Sequence, residues 1–228
     1  VSVLDIAEAI FISGGRQAMG NTSFFRGRMS FEMPGTLSVA REIASAICHL
    51  SGKTHRALVT DWDNTIWGGE VAELGSLGVE CGQESSEALG FLMTQEYIKG
   101  LQPLGVLLAG ISRNDPMVKK IFEENKELPL SLDDFSSLQL GWFPKSDGVS
   151  QISKELGFGS DLMVYLDDSL FEIGQVLSVH PYMDVIMAGP DSQSTITRLS
   201  EYRFFNAVSM SSEDLERNSR ALKLKEQR

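Results

Sequence analysis

A chain of 228 residues, 42% of them hydrophobic and with a mean hydropathy of −0.06, has a globular composition and length enough for one substantial core. Its formal net charge of −11 repels a phosphate backbone at long range, which argues against a nucleic-acid partner. A small phosphorylated substrate is not excluded, because a metal ion and one lysine reverse the potential locally.

No apolar run reaches the roughly 18 residues that cross a bilayer. The two cysteines, Cys48 and Cys81, are too few for a disulfide framework and sit in no metal-binding pattern. Both are expected to be reduced, which places the protein in the cytoplasm. The opening Val1-Ser2-Val3-Leu4-Asp5 has neither the basic region nor the cleavage site of a signal peptide. It has no initiator Met, so the chain is expected to be a piece of something longer.

Residues 3–12 are apolar with two acids and fit either a strand or a helix. Residues 13–35, rich in Gly, Phe, Arg and Met, read as a loop or connector. From 36 to 50, Leu37, Ala40, Ile43, Ala44, Ile47 and Leu50 fall on one helical stripe, with Thr36 or Ser38 as N-cap. ALVT then stops at Asp61, as a buried parallel strand does. Residues 84–100 read as a helix. A second apolar run, 104–111, ends in Ser112-Arg113-Asn114-Asp115. Pro116 to Asn125 reads as a helix with Asp115 as N-cap. A short strand fits Asp133–Leu140, and an amphipathic helix fits 147–157, closing on Gly157. DLMVYL is a third buried strand, ending at Asp167-Asp168. A helix over 170–178 and a strand over Asp184–Gly189 follow. The charged tail from 209 reads as an exposed helix or frayed end.

Strands alternating with helices, each strand ending in polar residues, predict a doubly wound α/β sheet. In such sheets the site lies at the carboxyl ends of the strands. Those ends carry the parts that phosphoryl transfer to a carboxylate needs. Asp61 fits the nucleophile and a metal ligand. Asp63, two residues on, fits the general acid and then the general base. Ser112 and Lys145 fit the equatorial phosphoryl oxygens. Asp167 and Asp168 fit the rest of a Mg²⁺ shell, since hard oxygen ligands suit that ion. Asp61 and Asp63 are both counted as metal ligands. Arg113, Asn114, Trp62 and Trp67 are expected to touch substrate. Lys119, Lys120 and Lys154 lie in predicted helices, so Lys145 is preferred. Gly68-Gly69 serves a turn, because no P-loop pattern surrounds it. His49, His55 and His180 are separated and read as surface or structural residues.

DWDNT, ISRND, a lysine and YLDDS, in that order, resemble the four motifs of the haloacid dehalogenase (HAD) superfamily. The resemblance implies a Rossmann-like parallel sheet and Mg²⁺-dependent chemistry on an aspartate. More narrowly, DWDNTIWGG with Glu70, LGVLLAGISRND, DDF near GW, and LDDSLFE resemble the FkbH-like branch over roughly 34–206. That branch is linked to polyketide and tetronate pathways. It turns 1,3-bisphosphoglycerate into a glyceryl group on an acyl carrier protein. The resemblance implies a catalytic domain over 34–208, with 1–33 a connector or the end of an upstream domain, and 209–228 a tail. It also implies membership of a larger multidomain protein.

Some relatives carry Cys between the two motif aspartates, and here that position is Trp62, which excludes an acyl-thioester at that position. Only 33 residues (145 − 112) separate Ser112 from Lys145, and 66–83 has room for a short flap, so no large cap domain is expected. An open pocket admits a bulky or carrier-tethered substrate. Three other readings remain: a plain small-molecule phosphatase, a non-catalytic module that binds a carrier protein, and a dehalogenase. The last does not need the metal ligands, so the acids favour phosphorus.

Overall fold

The computed structural model describes residues 4–75, 78–202 and 205. Contacts divide it into two compact units, one up to Thr54 and the other from His55 to Phe205. The predicted tail lies outside the described residues.

The first unit holds helices α1 (Ile6–Ile12), α2 (Asn21–Gly27) and α3 (Met33–Leu50). The strand-or-helix ambiguity at 3–12 resolves as a helix, because Asp5 Oδ1 accepts the Glu8 N–H at 2.8 Å and caps the first turn. The connector expected at 13–35 instead contains a 3₁₀ turn, Gly15–Gln17, and all of α2. Arg28 closes α2 in the left-handed region, at φ 57°. Helix α3 starts three residues before Thr36, with Glu32 at its N-cap and Pro34 in its first turn, where a missing N–H costs nothing. It packs on α1, burying Ala9, Ile10 and Ala46 within the unit.

The second unit is built on five strands: β1 (Ala57–Thr60), β2 (Leu107–Ser112), β3 (Phe135–Leu140), β4 (Met163–Asp167) and β5 (Asp184–Met187). Every pairing is parallel, in the order β3-β2-β1-β4-β5, so the shortest early strand takes the centre. The helices are α4 (Val71–Leu74), α5 (Ser86–Gly100), α6 (Lys120–Glu124), α7 (Lys145–Leu156), α8 (Leu170–Val179) and α9 (Ser192–Glu201). They cover both faces, as a parallel sheet requires. Alternation along the strands sorts the core. Leu58, Leu108, Val164, Leu166 and Ile186 face one layer with Phe91, Ile98, Phe122 and Leu199. Ala57, Val59, Ala109, Ile111, Met163 and Tyr165 face the other, with Val149 and Ile152 of α7 and Ile173 and Val176 of α8. The expected doubly wound α/β fold is therefore present.

Two boundaries differ from expectation. The helix placed at Pro116–Asn125 is a 3₁₀ turn, Pro116–Lys119, running into α6. Helix α7 begins at Lys145, two residues before Asp147, with Pro144 as N-cap. Lys145 is thus the first residue of a helix rather than a loop residue.

No cap domain is inserted among the described residues. The 66–83 segment holds α4 and one antiparallel bridge, Gly68↔Glu80. Between Ser112 and Lys145 lie only two 3₁₀ turns, α6 and β3.

Trp62 anchors the first core layer. Its ring lies 5.6 Å from that of Trp67, 5.2 Å from Phe122 and 5.7 Å from Phe135. It fits because β2 has Gly110 beneath it: a Cβ there would lie 2.8 Å from the indole and 2.8 Å from Leu138. Gly110→Ala is therefore expected to cost about 1–3 kcal/mol through overpacking. A lowered urea midpoint with an unchanged m-value would register it.

Candidate active site

The alternation that sorts the core also aims the carboxylates. Asp61 continues the Ala57–Val59 row, and its N–H still donates to Leu166 O at 2.9 Å. Asp167 continues the Met163–Tyr165 row at the end of β4. Both belong to the sheet face that α7 and α8 cover, and those helices contribute from their first turns.

Lys145, at the start of α7, is almost fully buried. Its Nζ lies 2.8 Å from Asp61 Oδ1 and 2.6 Å from Asp167 Oδ2, and it also pairs with Glu172 of α8. Asp167 is further held by the Tyr165 hydroxyl and by the Ser169 N–H at 2.7 Å. Arg113, just past β2, pairs with Glu172 Oε1 at 2.8 Å and donates to Gln175 Oε1 at 3.1 Å.

Asp63 occupies a separate set of contacts. Asn64 takes a left-handed conformation, φ 54°, which turns the chain after β1, and its Oδ1 accepts the Gly69 N–H at 2.9 Å. Asp63 Oδ1 accepts from Trp67 Nε1 at 2.9 Å and from Val71 N at 3.4 Å. Its Oδ2 accepts from Asn114 Nδ2 at 2.8 Å, and the same amide donates to Ser112 Oγ at 3.0 Å. One side chain thus ties the residue expected to bind phosphoryl oxygen to the residue expected to move protons.

Burial dominates the electrostatics. It pushes the Asp61 carboxyl well above the usual carboxylate range; Lys145 opposes this and the Asp167 charge adds to it. Burial alone would lower the Lys145 ammonium, but the Asp61 and Asp167 carboxylates outweigh it and raise it. Burial, then the Asp167 charge, raises Asp168. The Tyr165 phenol is pushed up by burial and by Asp167, so it stays a donor.

Among the described residues, the carboxylates able to share one cation are Asp61, Asp167 and Glu172, whose ligand atoms lie within 4.8 Å of one another. These are hard oxygen donors carrying more negative charge than Lys145 neutralises, which fits a divalent ion such as Mg²⁺. Of the four expected ligands, Asp61 and Asp167 lie in this cluster, joined by Glu172. Asp63 has its carboxylate turned to Trp67 and Asn114, and the half-buried Asp168 stands outside the cluster. Glu172 was missed in the sequence. Ser169-x-x-Glu172 follows the pattern of a helix capping box, and Ser169 Oγ does accept the Glu172 N–H, at 3.4 Å. The glutamate side chain, however, goes to Lys145 and Arg113 rather than back to the cap.

Trp62 and Trp67 do not line a pocket as expected. Both are fully buried in the aromatic cluster, and only Trp67 reaches the site, through Asp63. Arg113 and Asn114 adjoin the site but are engaged by Glu172 and Asp63. Cys81 is no alternative nucleophile: it is buried beside Glu84 and Glu127, and its thiol is pushed up to about 12, mainly by burial.

No family model matches the sequence, and no curated protein matches it. Among solved structures, the chain is similar to the N-terminal part of a Bacteroides fragilis protein, containing a phosphatase domain and complexed with Mg. The identity is 29% and the TM-score 0.82, over 88% of this chain and 54% of that one. The chain thus spans about half the length of that relative. A HAD-family enzyme from Bacteroides thetaiotaomicron, in complex with magnesium and inorganic phosphate, aligns at 11% identity and TM-score 0.39, over 59% and 94% of the two chains. A HAD-superfamily hydrolase of subfamily IA from Geobacter sulfurreducens aligns at 10% and 0.40, over 63% and 98%. The chain thus shares the α/β fold of the magnesium-complexed Bacteroides fragilis phosphatase domain.

Proposed function

We propose that this chain is a Mg²⁺-dependent phosphatase of HAD type with Asp61 as nucleophile. One observation carries the reading: a buried lysine from the start of α7 lies against Asp61 and Asp167 at two adjacent strand ends. An arrangement with this much buried charge is costly for stability alone. It suits a phosphoryl dianion once a divalent ion offsets the carboxylates, with Lys145 supplying a fixed positive charge.

In the first half-reaction an Asp61 oxygen forms a bond to phosphorus as the bond to the leaving oxygen breaks, and Asp63 gives that oxygen its proton. In the second, water attacks the aspartyl phosphate, Asp63 takes the water's proton, and Asp61 is released with inorganic phosphate. Lys145 and Ser112 hold phosphoryl oxygens, with Arg113 and Asn114 beside them. A divalent ion held by Asp61, Asp167 and Glu172 would supply charge neutralisation on the phosphoryl group. That the similar Bacteroides fragilis phosphatase domain is complexed with Mg supports magnesium as the ion.

A second reading follows the FkbH-like motifs: transfer of a glyceryl group from 1,3-bisphosphoglycerate to an acyl carrier protein in polyketide biosynthesis. The absence of an inserted cap among the described residues favours it, since a tethered substrate needs an open approach. Without a thiol at Trp62, and with Cys81 buried, the acyl group would pass directly to the carrier thiol. We also propose a cytoplasmic location, consistent with two free cysteines, and a place in a larger multidomain protein. No helix among the described residues is long and apolar enough to cross a membrane.

Phosphate release from a panel of phosphorylated three-carbon acids tests both readings, run with Mg²⁺, with EDTA, and with a phosphopantetheinylated carrier protein. Mg²⁺-dependent release without carrier loading is expected of a phosphatase. Loading coupled to release would establish transfer. Carrier binding with no release from any substrate would replace both by a binding module.

A further inference from the structure

Trp67 does something that core packing does not require of it. Its ring is fully buried against Trp62 and Phe122. Its one polar atom nevertheless leaves the cluster and donates to Asp63 Oδ1 at 2.9 Å. The adjacent indole of Trp62 is equally buried, and its Nε1 has no hydrogen-bond partner. Two identical groups share one cluster, and only one is aimed at a carboxylate. The flap adds a second donor to the same oxygen, Val71 N at 3.4 Å, while Asn114 holds the other oxygen at 2.8 Å.

A carboxylate that follows a strand end can rotate about two side-chain torsions. Donors fixed on both of its oxygens, one of them an indole locked in a packed core, leave it a single orientation. Proton transfer to a departing oxygen depends steeply on that orientation. We infer that Trp67 is a positioning residue for Asp63, holding the acid–base carboxyl in line with the leaving group through its indole N–H. The flap is thereby part of the proton-transfer apparatus: Trp67 and Val71 flank Gly68, whose N–H and C=O pair with Glu80 at 2.9 Å each and tether this part of the flap. The inference rests on the reading of Asp63 as general acid and base.

Trp67→Phe removes the N–H and keeps an aromatic ring in the cluster. Val71→Pro removes the other flap donor. Val71 is the first residue of α4, where proline is tolerated, and Glu70 before it is already extended at φ −100° and ψ 123°. Both variants of the full chain would be assayed with Mg²⁺ on two esters. An alkyl phosphate has a leaving oxygen that needs a proton. The leaving group of 2,4-dinitrophenyl phosphate does not.

For Trp67→Phe, kcat/KM on the alkyl ester is expected to fall about tenfold or more, and on the dinitrophenyl ester by less than about threefold. Val71→Pro should show the same selectivity at smaller size, because its bond is longer, and it tests the flap donors even where Trp67→Phe folds poorly. Equal losses on the two esters, or none on the alkyl ester, would overturn the positioning role while leaving the phosphatase reading intact. A wild-type chain that hydrolyses neither ester would remove that reading and this inference together.

Discussion

Lys145→Met is expected to cost about 3–5 kcal/mol of stability and to abolish phosphate release. The reason is charge, not volume. Methionine fills much of the space, but Asp61, Asp167 and Glu172 would then face one another with no buried cation between them. A low dielectric leaves such repulsion poorly screened. Added Mg²⁺ should recover stability in the variant more than in the wild type, since the same three carboxylates form the candidate ligand cluster and the ammonium no longer competes for them. Turnover should stay lost, because Arg113, held by Glu172, does not replace the buried ammonium that lies against Asp61. Urea unfolding with and without Mg²⁺ measures the first effect and phosphate release the second. An unchanged urea midpoint would mean that the carboxylates do not depend on Lys145.

Asp61→Asn is expected to have the opposite balance. Turnover should fall by ~10⁴-fold or more, since the amide is no nucleophile. Stability should hold or rise. Burial already disfavours the Asp61 carboxylate, and the Asp167 charge adds to that, so replacing it relieves repulsion in the cluster. A site that is more stable without its central acid is shaped by function rather than by folding. Activity persisting in the pure variant would end the nucleophile assignment. A marked fall in the thermal midpoint would instead mean that the Lys145–Asp61 pair is a structural support.

Much of this arrangement was legible in the residues. ALVT, LGVLLAGI and DLMVYL have the unbroken apolar character of strands buried on both faces, and each stops where polar residues begin. That was enough to bring Asp61, Lys145 and Asp167 to neighbouring strand and helix ends. Glu172 was not legible, because its role depends on the direction in which a first-turn side chain leaves α8. Locally it is indistinguishable from a capping acid. The two tryptophans were misread for a related reason. Trp62 alternates with Asp61, so the geometry that brings the aspartate into the site sends the indole to the opposite core layer. The α2 helix escaped notice because a run of Gly, Phe and Arg has no apolar period. The start of α7 was set two residues late because an acid at Asp147 looked like a better helix opening than a proline.

The central position of β1 also bears on how the site comes into being. Asp61 and Asp167 meet only when β1 and β4 are paired, and on the order of a hundred residues of chain separate them. That pairing closes one of the longest loops in the sheet, so it is entropically among the slowest to form. A chain emerging from synthesis carries its candidate nucleophile early and gains the acids of β4 and α8 late. Until then Asp61 sits at an exposed sheet edge with no paired neighbour on that side. The candidate site is thus assembled only by the longest-range pairing of the sheet, and a chain lacking that pairing holds its acids apart.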